Sequence, residues 1–341
     1  MLIRLLLGLT AALLLATGAA ARPLVVILAD PRGTVGPDVL TPYAILADSG
    51  AVEVKVVSPT TAPVRLTPGK AWAGPQMTFA QLAQARPQGP DIVIVPALSV
   101  ENDPARSAWL QAQLRGGARI MSICNGAKVL AAAGLLEGRQ ATIHWFSRDR
   151  MKKRYPQVEW RRDRRWVTDG PITTTAGISA AEPAALHLLG ELAGHEVMLA
   201  TARRLDLAPP DQHHRGEDFR LTLKGMATVV MNRIAFWRHE DVAVPLSHGM
   251  NELAFGDALD GWSRTYRSTA WAVGAPSVTT RRGLVIYRNR ALPAHFDRRV
   301  ALPEQEIAEA TFRQIGAAYG DATGRFVALQ FEHPYGAVPV G

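Results

Sequence analysis

The chain has 341 residues, 48% of them hydrophobic and 20% charged, a net charge of +8 and a single cysteine. That composition excludes a low-complexity or disordered chain, and one cysteine excludes an internal disulfide framework. The basic balance alone would allow nucleic acid as a partner, but the start of the chain argues against it.

Met1 to Ala21 reads "MLIRLLLGLTAALLLATGAAA". A cation, a short apolar core and a small-residue site make a secretory signal peptide, too short for a comfortable membrane span. The expectation is an exported, periplasmic protein with a cleaved leader, an uncleaved N-terminal membrane anchor being the alternative. About 320 residues remain, enough for one large domain or two smaller ones. "PLVVILA" is the continuous apolar run of a strand buried on both faces. After a turn-rich stretch, "VLTPYAILADSG" reads as a helix stopped by Gly50. Because Pro42 fits only a first turn, that helix is expected to begin near Leu40. "VEVKVVSP" and "DIVIVPAL" are further strands, "PARSAWLQAQLRGGA" a helix, "RIMSI" a strand and "NGAKVLAAAG" a helix ended by Gly134. "QATIHW" and "PITTTAG" read as later strands, and "SAAEPAALHLLGELAG" as a closing helix. Apolar strands alternating with helices predict an α/β fold, a parallel sheet covered on both faces, with its site at the carboxyl ends of the strands.

"DQHHRGEDFR" then reads as a polar linker. Beyond it, "DVAVPLSHGMNELAFGDAL" echoes "PLVVILADPRGTVGPDVLTPYAIL": strand, glycine-containing turn, acidic residue, helix. "WAVGAPSVTTRRGLVI" similarly echoes "VKVVSPTTAPVRLTPGKAW", a partial internal repeat that reaches no second cysteine. The expected organisation is a leader over 1–21, a main domain over 22–200, a linker over 201–240 and a smaller α/β repeat over 241–341.

Cys124, which reads as a buried small hydrophobe or a working thiol, lies in "SICNG", where Ser122, Cys124 and Gly126 alternate between strand and helix as in a nucleophile elbow. A helix N-terminus there would favour the thiolate, and the Asn125 amide would serve as an oxyanion donor. A second donor would come from the backbone at Ala97 and Leu98. Asp38, just before a helix, reads as an N-cap or a site acid, and His144 as a core histidine or a base. Glu182 reads as solvent-facing. Trp72, Trp145, Trp160 and Trp166 read as core or cleft, and the basic run Arg148 to Trp166 as a solvated face. The adjacent His213 and His214 lack the spacing of a helical metal pair, so no metal is expected.

"ICNGAKVLAAAGLLEGRQATIHW" followed by "TTAGISAAEPAALHLL" resembles the ThiJ/PfpI (DJ-one/PfpI) superfamily, especially the amidotransferase-like domain of GlxA-type regulators. The resemblance covers about residues 24–194. It implies a flavodoxin-like α/β sandwich, a reactive Cys124, Asp38 of "PDVLTP" as the acid that hydrogen-bonds it, and His144 as the histidine after the elbow helix. Thr41, Asn125, Ala97 and Leu98 depart from the family pattern, and no DNA-reading helix-turn-helix is found. The expectation is therefore a cysteine-dependent hydrolase or lyase/hydratase acting on a small carbonyl, amide or isonitrile-like substrate. The alternative is a non-catalytic periplasmic ligand-binding or redox-sensing module. Neither reading calls for a cofactor or nucleic acid. The expected partners are a small-molecule substrate or ligand and a second subunit, the latter replaced in one version by the repeat as an intrachain pseudo-dimer.

Overall fold

The computed structural model describes residues 21–335, so the expected leader, apart from Ala21, lies outside the described residues. The first unit runs β1 (Leu24–Leu28), β2 (Thr34–Val35), α1 (Gly36–Ser49), β3 (Glu53–Ser58), β4 (Val64–Thr67), β5 (Ala71–Ala73), β6 (Met77–Thr78), α2 (Phe79–Ala85), β7 (Ile92–Val95), α3 (Pro104–Arg115), β8 (Arg119–Ser122) and α4 (Gly126–Ala132). It continues through β9 (Gln140–Ala141), α5 (Trp145–Arg154), β10 (Glu159–Trp160), β11 (Trp166–Asp169), β12 (Ile172–Thr175), α6 (Ala181–Ala193) and α7 (His195–Arg204). The stretch expected as a linker carries α8 (Leu223–Ile234). The second unit runs β13 (Glu240–Leu246), α9 (Glu252–Ser263), β14 (Ser268–Gly274), β15 (Ser277–Thr279), β16 (Val285–Arg288), β17 (Arg298–Arg299), α10 (Ile307–Tyr319) and α11 (Asp321–Phe331).

A seven-stranded sheet in the order β11-β12-β8-β7-β1-β3-β6 is parallel except for the β11–β12 pair. The apolar run of β1 has its cause here. Val25 and Ile27 enter one core while Leu24, Val26 and Leu28 enter the other, because successive side chains point to opposite faces. The first core also holds Val242, Phe255, Trp262 and Phe312, so the second unit shares the α1 and α6 side of the sheet.

Helix α1 begins at Gly36 rather than near Leu40, with Pro42 inside it. Proline there removes the amide that would have bonded the Asp38 carbonyl, a loss that ordinarily breaks an exposed helix. Here every residue from Gly36 to Leu46 is buried, and packing against β3, α6 and α9 outweighs the missing bond.

The second unit shares strand and helix connections with the first. β13 pairs in parallel with β14 and β17, as β1 pairs with β3 and β7. Gly320 (φ 92°) joins α10 to α11 as Gly194 (φ 93°) joins α6 to α7. The two units also meet. β5 pairs antiparallel with β16, placing Trp72 opposite Tyr287 in one five-stranded sheet, β15-β16-β5-β4-β2. At Gly256 of α9 a Cβ would stand 3.2 Å from Leu40 Cδ1 of α1, the close approach a glycine permits.

Candidate active site

The site is assembled at the carboxyl ends of β7, β8 and β12. Cys124 follows β8 with φ 55°, in the left-handed region that costs a side-chain-bearing residue about 1–2 kcal/mol. Three contacts hold it there. The Cys124 amide donates to Thr175 Oγ1 at 3.2 Å, and the Gly126 amide to the Ile123 carbonyl at 2.7 Å. The third is the Gly126 backbone itself, which lies so close to β7 that a Cβ would come within 2.1 Å of the Val95 carbonyl. The "TTAG" stretch is thereby explained: Thr175 accepts from the elbow, and Gly177 leaves room for a side chain arriving from α11.

Asp38, in the first turn of α1, is fully buried. Its Oδ2 accepts from the Ala97 amide at 2.9 Å, and its Oδ1 has no partner among the described residues. Burial pushes the carboxyl up to about 8, so it is neutral at pH 7; the Ala97 bond works in the other direction. Ala97, expected as an oxyanion donor, thus gives its amide to Asp38. Leu98 is buried beside it. The thiol is 3% exposed and is raised well above the usual range, first by burial and then by the charge that Asp38 takes on once it ionises, above about 8. Arg264 and the Asn125 amide pull it the other way. The amide at the helix start does favour the thiolate, but burial of the sulfur outweighs it. α4 is only seven residues long, and its end cannot compensate a desolvated sulfur.

Strand β9 ends at Ala141, and His144 is not on a strand but caps α5. Its Nδ1 accepts from the Phe146 amide at 3.3 Å, and its Nε2 faces the Gln330 carbonyl of α11 at 2.9 Å, which sets the neutral Nε2–H tautomer. Burial lowers its affinity for a proton, although Glu332 and the Gln330 carbonyl favour one. Both ring nitrogens are occupied, and His144 ties α5 to α11.

Two residues with no motif around them complete the site, both from the second unit. Arg264, at the end of α9, is ion-paired with Asp260. Burial works against its charge, but Asp260, Cys124 and Asp38 hold the proton on. Glu332 ends α11 at φ 59° and is buried. Its Oε1 lies 2.8 Å from His214 Nε2, its Oε2 accepts from the Trp145 amide at 3.3 Å, and its carbonyl accepts from Ser179 Oγ at 2.7 Å. The end of α11 is thereby fastened over the elbow. Glu332 also lines a cavity of about 770 Å³ walled by Arg165, His213, Lys224 and Arg325.

Of the other candidates, Glu182 is half-buried at the start of α6 rather than solvent-facing, and burial pushes it up to about 7. The Trp145 ring nitrogen donates to the Leu329 carbonyl, and Trp166 stacks on His187. Among the described residues no group of three His, Cys, Asp or Glu could hold a metal.

The isonitrile hydratase of Pseudomonas putida is 30% identical over 178 residues, which is 50% of this chain and 73% of that one. A family model described as DJ-1/PfpI family matches residues 24–191. The chain belongs to the DJ-1/PfpI family. As a DJ-1/PfpI protein it is also 31% identical to protein dj-1beta of Drosophila melanogaster over 132 residues, 37% of this chain and 69% of that one. It is 34% identical to the HTH-type transcriptional regulator CdhR of Pseudomonas aeruginosa over 115 residues, only about a third of either chain. The crystal structure of Drosophila DJ-1beta covers 55% of this chain and 99% of its own, with a TM-score of 0.48 and 23% identity. The family match ends within α6, before the second unit begins.

Proposed function

We propose that this DJ-1/PfpI protein is a cysteine-dependent hydrolase or lyase/hydratase that acts on a small, uncharged carbonyl, amide or isonitrile-like carbon. One observation carries the reading: a thiol held at φ 55° beside a buried, neutral carboxylic acid with a free oxygen. The strained elbow keeps the sulfur at the sheet's edge, and Asp38 can donate or accept one proton without creating a second buried charge. On an isonitrile the sulfur would bond to the terminal carbon and a proton would reach the same carbon, leaving a thioimidate. Water would then add to that carbon, and expulsion of the sulfur would return the thiol and release a formamide. An uncharged substrate fits best, because Arg264 already has a carboxylate partner and Glu332 places a carboxylate over the site. Likeness to an isonitrile hydratase over 73% of that enzyme supports this chemistry. The apolar N-terminal segment supports an exported location.

The test is a screen of isonitriles, glyoxals and amides for turnover and for a mass adduct on Cys124. Activity absent in Cys124→Ser and strongly reduced in Asp38→Asn is expected; turnover that survives Cys124→Ser would sink the proposal. A second reading is favoured by the buried, protonated thiol: a ligand-binding or redox-sensing module. It would show ligand-dependent stability or a peroxide-induced oxidation of Cys124 with no turnover.

A further inference from the structure

Helix α8 turns its polar side inward. Asn232 Nδ2 donates to the Thr265 carbonyl at 2.9 Å and to Thr323 Oγ1 at 3.2 Å, and Thr222 caps the helix by accepting from the Gly225 amide at 3.1 Å. Helical spacing places Gly225, Thr228 and Val229 on the same inward side as Asn232. Leu223, Met226, Val230, Met231 and Ile234 then form one outward stripe, and all five are exposed. Leu223 is 88% exposed, and the turn after the helix adds Phe236 at 73% and Trp237 at 69%. Isolated apolar residues at a surface need no explanation, but a contiguous stripe ending in two aromatics does.

The charges around the stripe decide what covers it. From Phe219 to His239 there is no acidic residue, whereas Arg220, Lys224, Arg233 and Arg238 are all present and exposed. Lys224 and Arg233 lie on opposite flanks of the stripe, so their alkyl stems can follow it while their charges stay in a polar layer. A second copy meeting this face about a twofold axis would set basic residues against basic residues, which disfavours self-association. A surface that is apolar beneath and anionic at its polar boundary matches both features.

We propose that α8 and the Phe236–Trp237 turn form a docking face for an anionic lipid surface, lying in its plane rather than crossing it. Among the described helices none is long and apolar enough to span a membrane, which agrees with an in-plane mode.

The experiment is flotation of the full chain with vesicles of phosphatidylcholine, with and without about one third phosphatidylglycerol. It is run beside L223S/V230S/I234S/W237S and K224E/R233E, whose changes fall on exposed positions. The expected result is flotation that needs phosphatidylglycerol, falls at least about tenfold in the serine variant and at least about fivefold in the charge-reversed one. Flotation unchanged in the serine variant would place the lipid contact elsewhere and overturn the proposal. No flotation of the parent, or a parent dimer that the serine variant dissociates, would overturn it equally, the latter assigning the face to a second copy.

Discussion

Asp38 and Glu252 occupy the same place in the two units, in the first turn of a buried helix that follows the unit's first strand. Both are completely buried. Asp38 accepts one backbone amide and has no ion pair of its own, because Arg264 nearby is paired with Asp260, so the carboxyl keeps its proton near neutral pH. Around Glu252 there is Arg282, whose Nη1 lies 2.5 Å from Oε2 and whose amide donates to Oε1 at 2.8 Å. Arg282 also reaches Asp48 at the end of α1, just as Arg264 at the end of α9 serves Asp38 and Cys124. The contact of α1 with α9 thus creates two related pockets. In one the arginine pairs directly with the acid. The other kept its acid neutral beside a strained cysteine, which leaves it free to move a proton.

The largest expected effect tests that ion pair. Arg282→Ala leaves the Glu252 carboxylate buried without its partner and should cost about 3–5 kcal/mol in urea unfolding at neutral pH. A cost under about 1 kcal/mol would remove the contrast, since Glu252 would then tolerate isolation as Asp38 does.

The next effect is a pH slope. Asp38 is raised in the folded state from 3.8 to about 8, so between those values the folded protein holds a proton that the unfolded chain has released. Its contribution to stability therefore falls as pH climbs from about 4 to about 8, by up to about 1.4 kcal/mol per pH unit. Asp38→Asn should flatten the stability-versus-pH curve by that amount. Glu182, raised to about 7, and Asp257, also raised by burial, leave a residual slope of the same sign. An unchanged slope would mean that Asp38 is ionised in the folded protein.

The smaller effects concern the thiol. Alkylation of Cys124 should be slow at neutral pH and accelerate only in strongly alkaline buffer, because burial and Asp38 both favour the protonated sulfur. The apparent pKa should fall in Asp38→Asn and rise in Arg264→Gln, opposite directions that a merely destabilised fold would not produce. Glu332→Ala should speed labelling severalfold at a fixed pH without unfolding the sheet, since it loosens the end of α11 over the elbow. Labelling that stays slow until denaturant is added would identify another element as the barrier.

Much of the first unit was legible in one dimension. A strand buried on both faces must be apolar throughout, and β1 is. The elbow's small residues and Gly126 are demanded by a local approach of 2.1 Å that a Cβ would make to Val95, so Cys124 stood out without a partner being known. Asp38 was visible as an acid at a helix start, and the echo at "NELAFGDAL" already contained Glu252, although nothing local distinguishes a proton-holding acid from an ion-paired one. A helix start near Leu40 is too late because Pro42 is a breaker in isolation, and only burial on every side keeps it in a helix. "QATIHW" reads as a strand, yet His144 caps α5 and its ring closes a contact with Gln330. Arg264 and Glu332 had no signal at all, being brought to the thiol by the packing of one unit against the other.

What the sequence determined by itself follows from short-range physics: strand and helix periods, the tight turn around Cys124, and the repetition of one unit. What only the tertiary structure decided is the chemistry of the thiol. Its proton affinity depends on desolvation and on charges supplied by α1, α9 and α11, and those quantities exist only after distant segments have excluded water together.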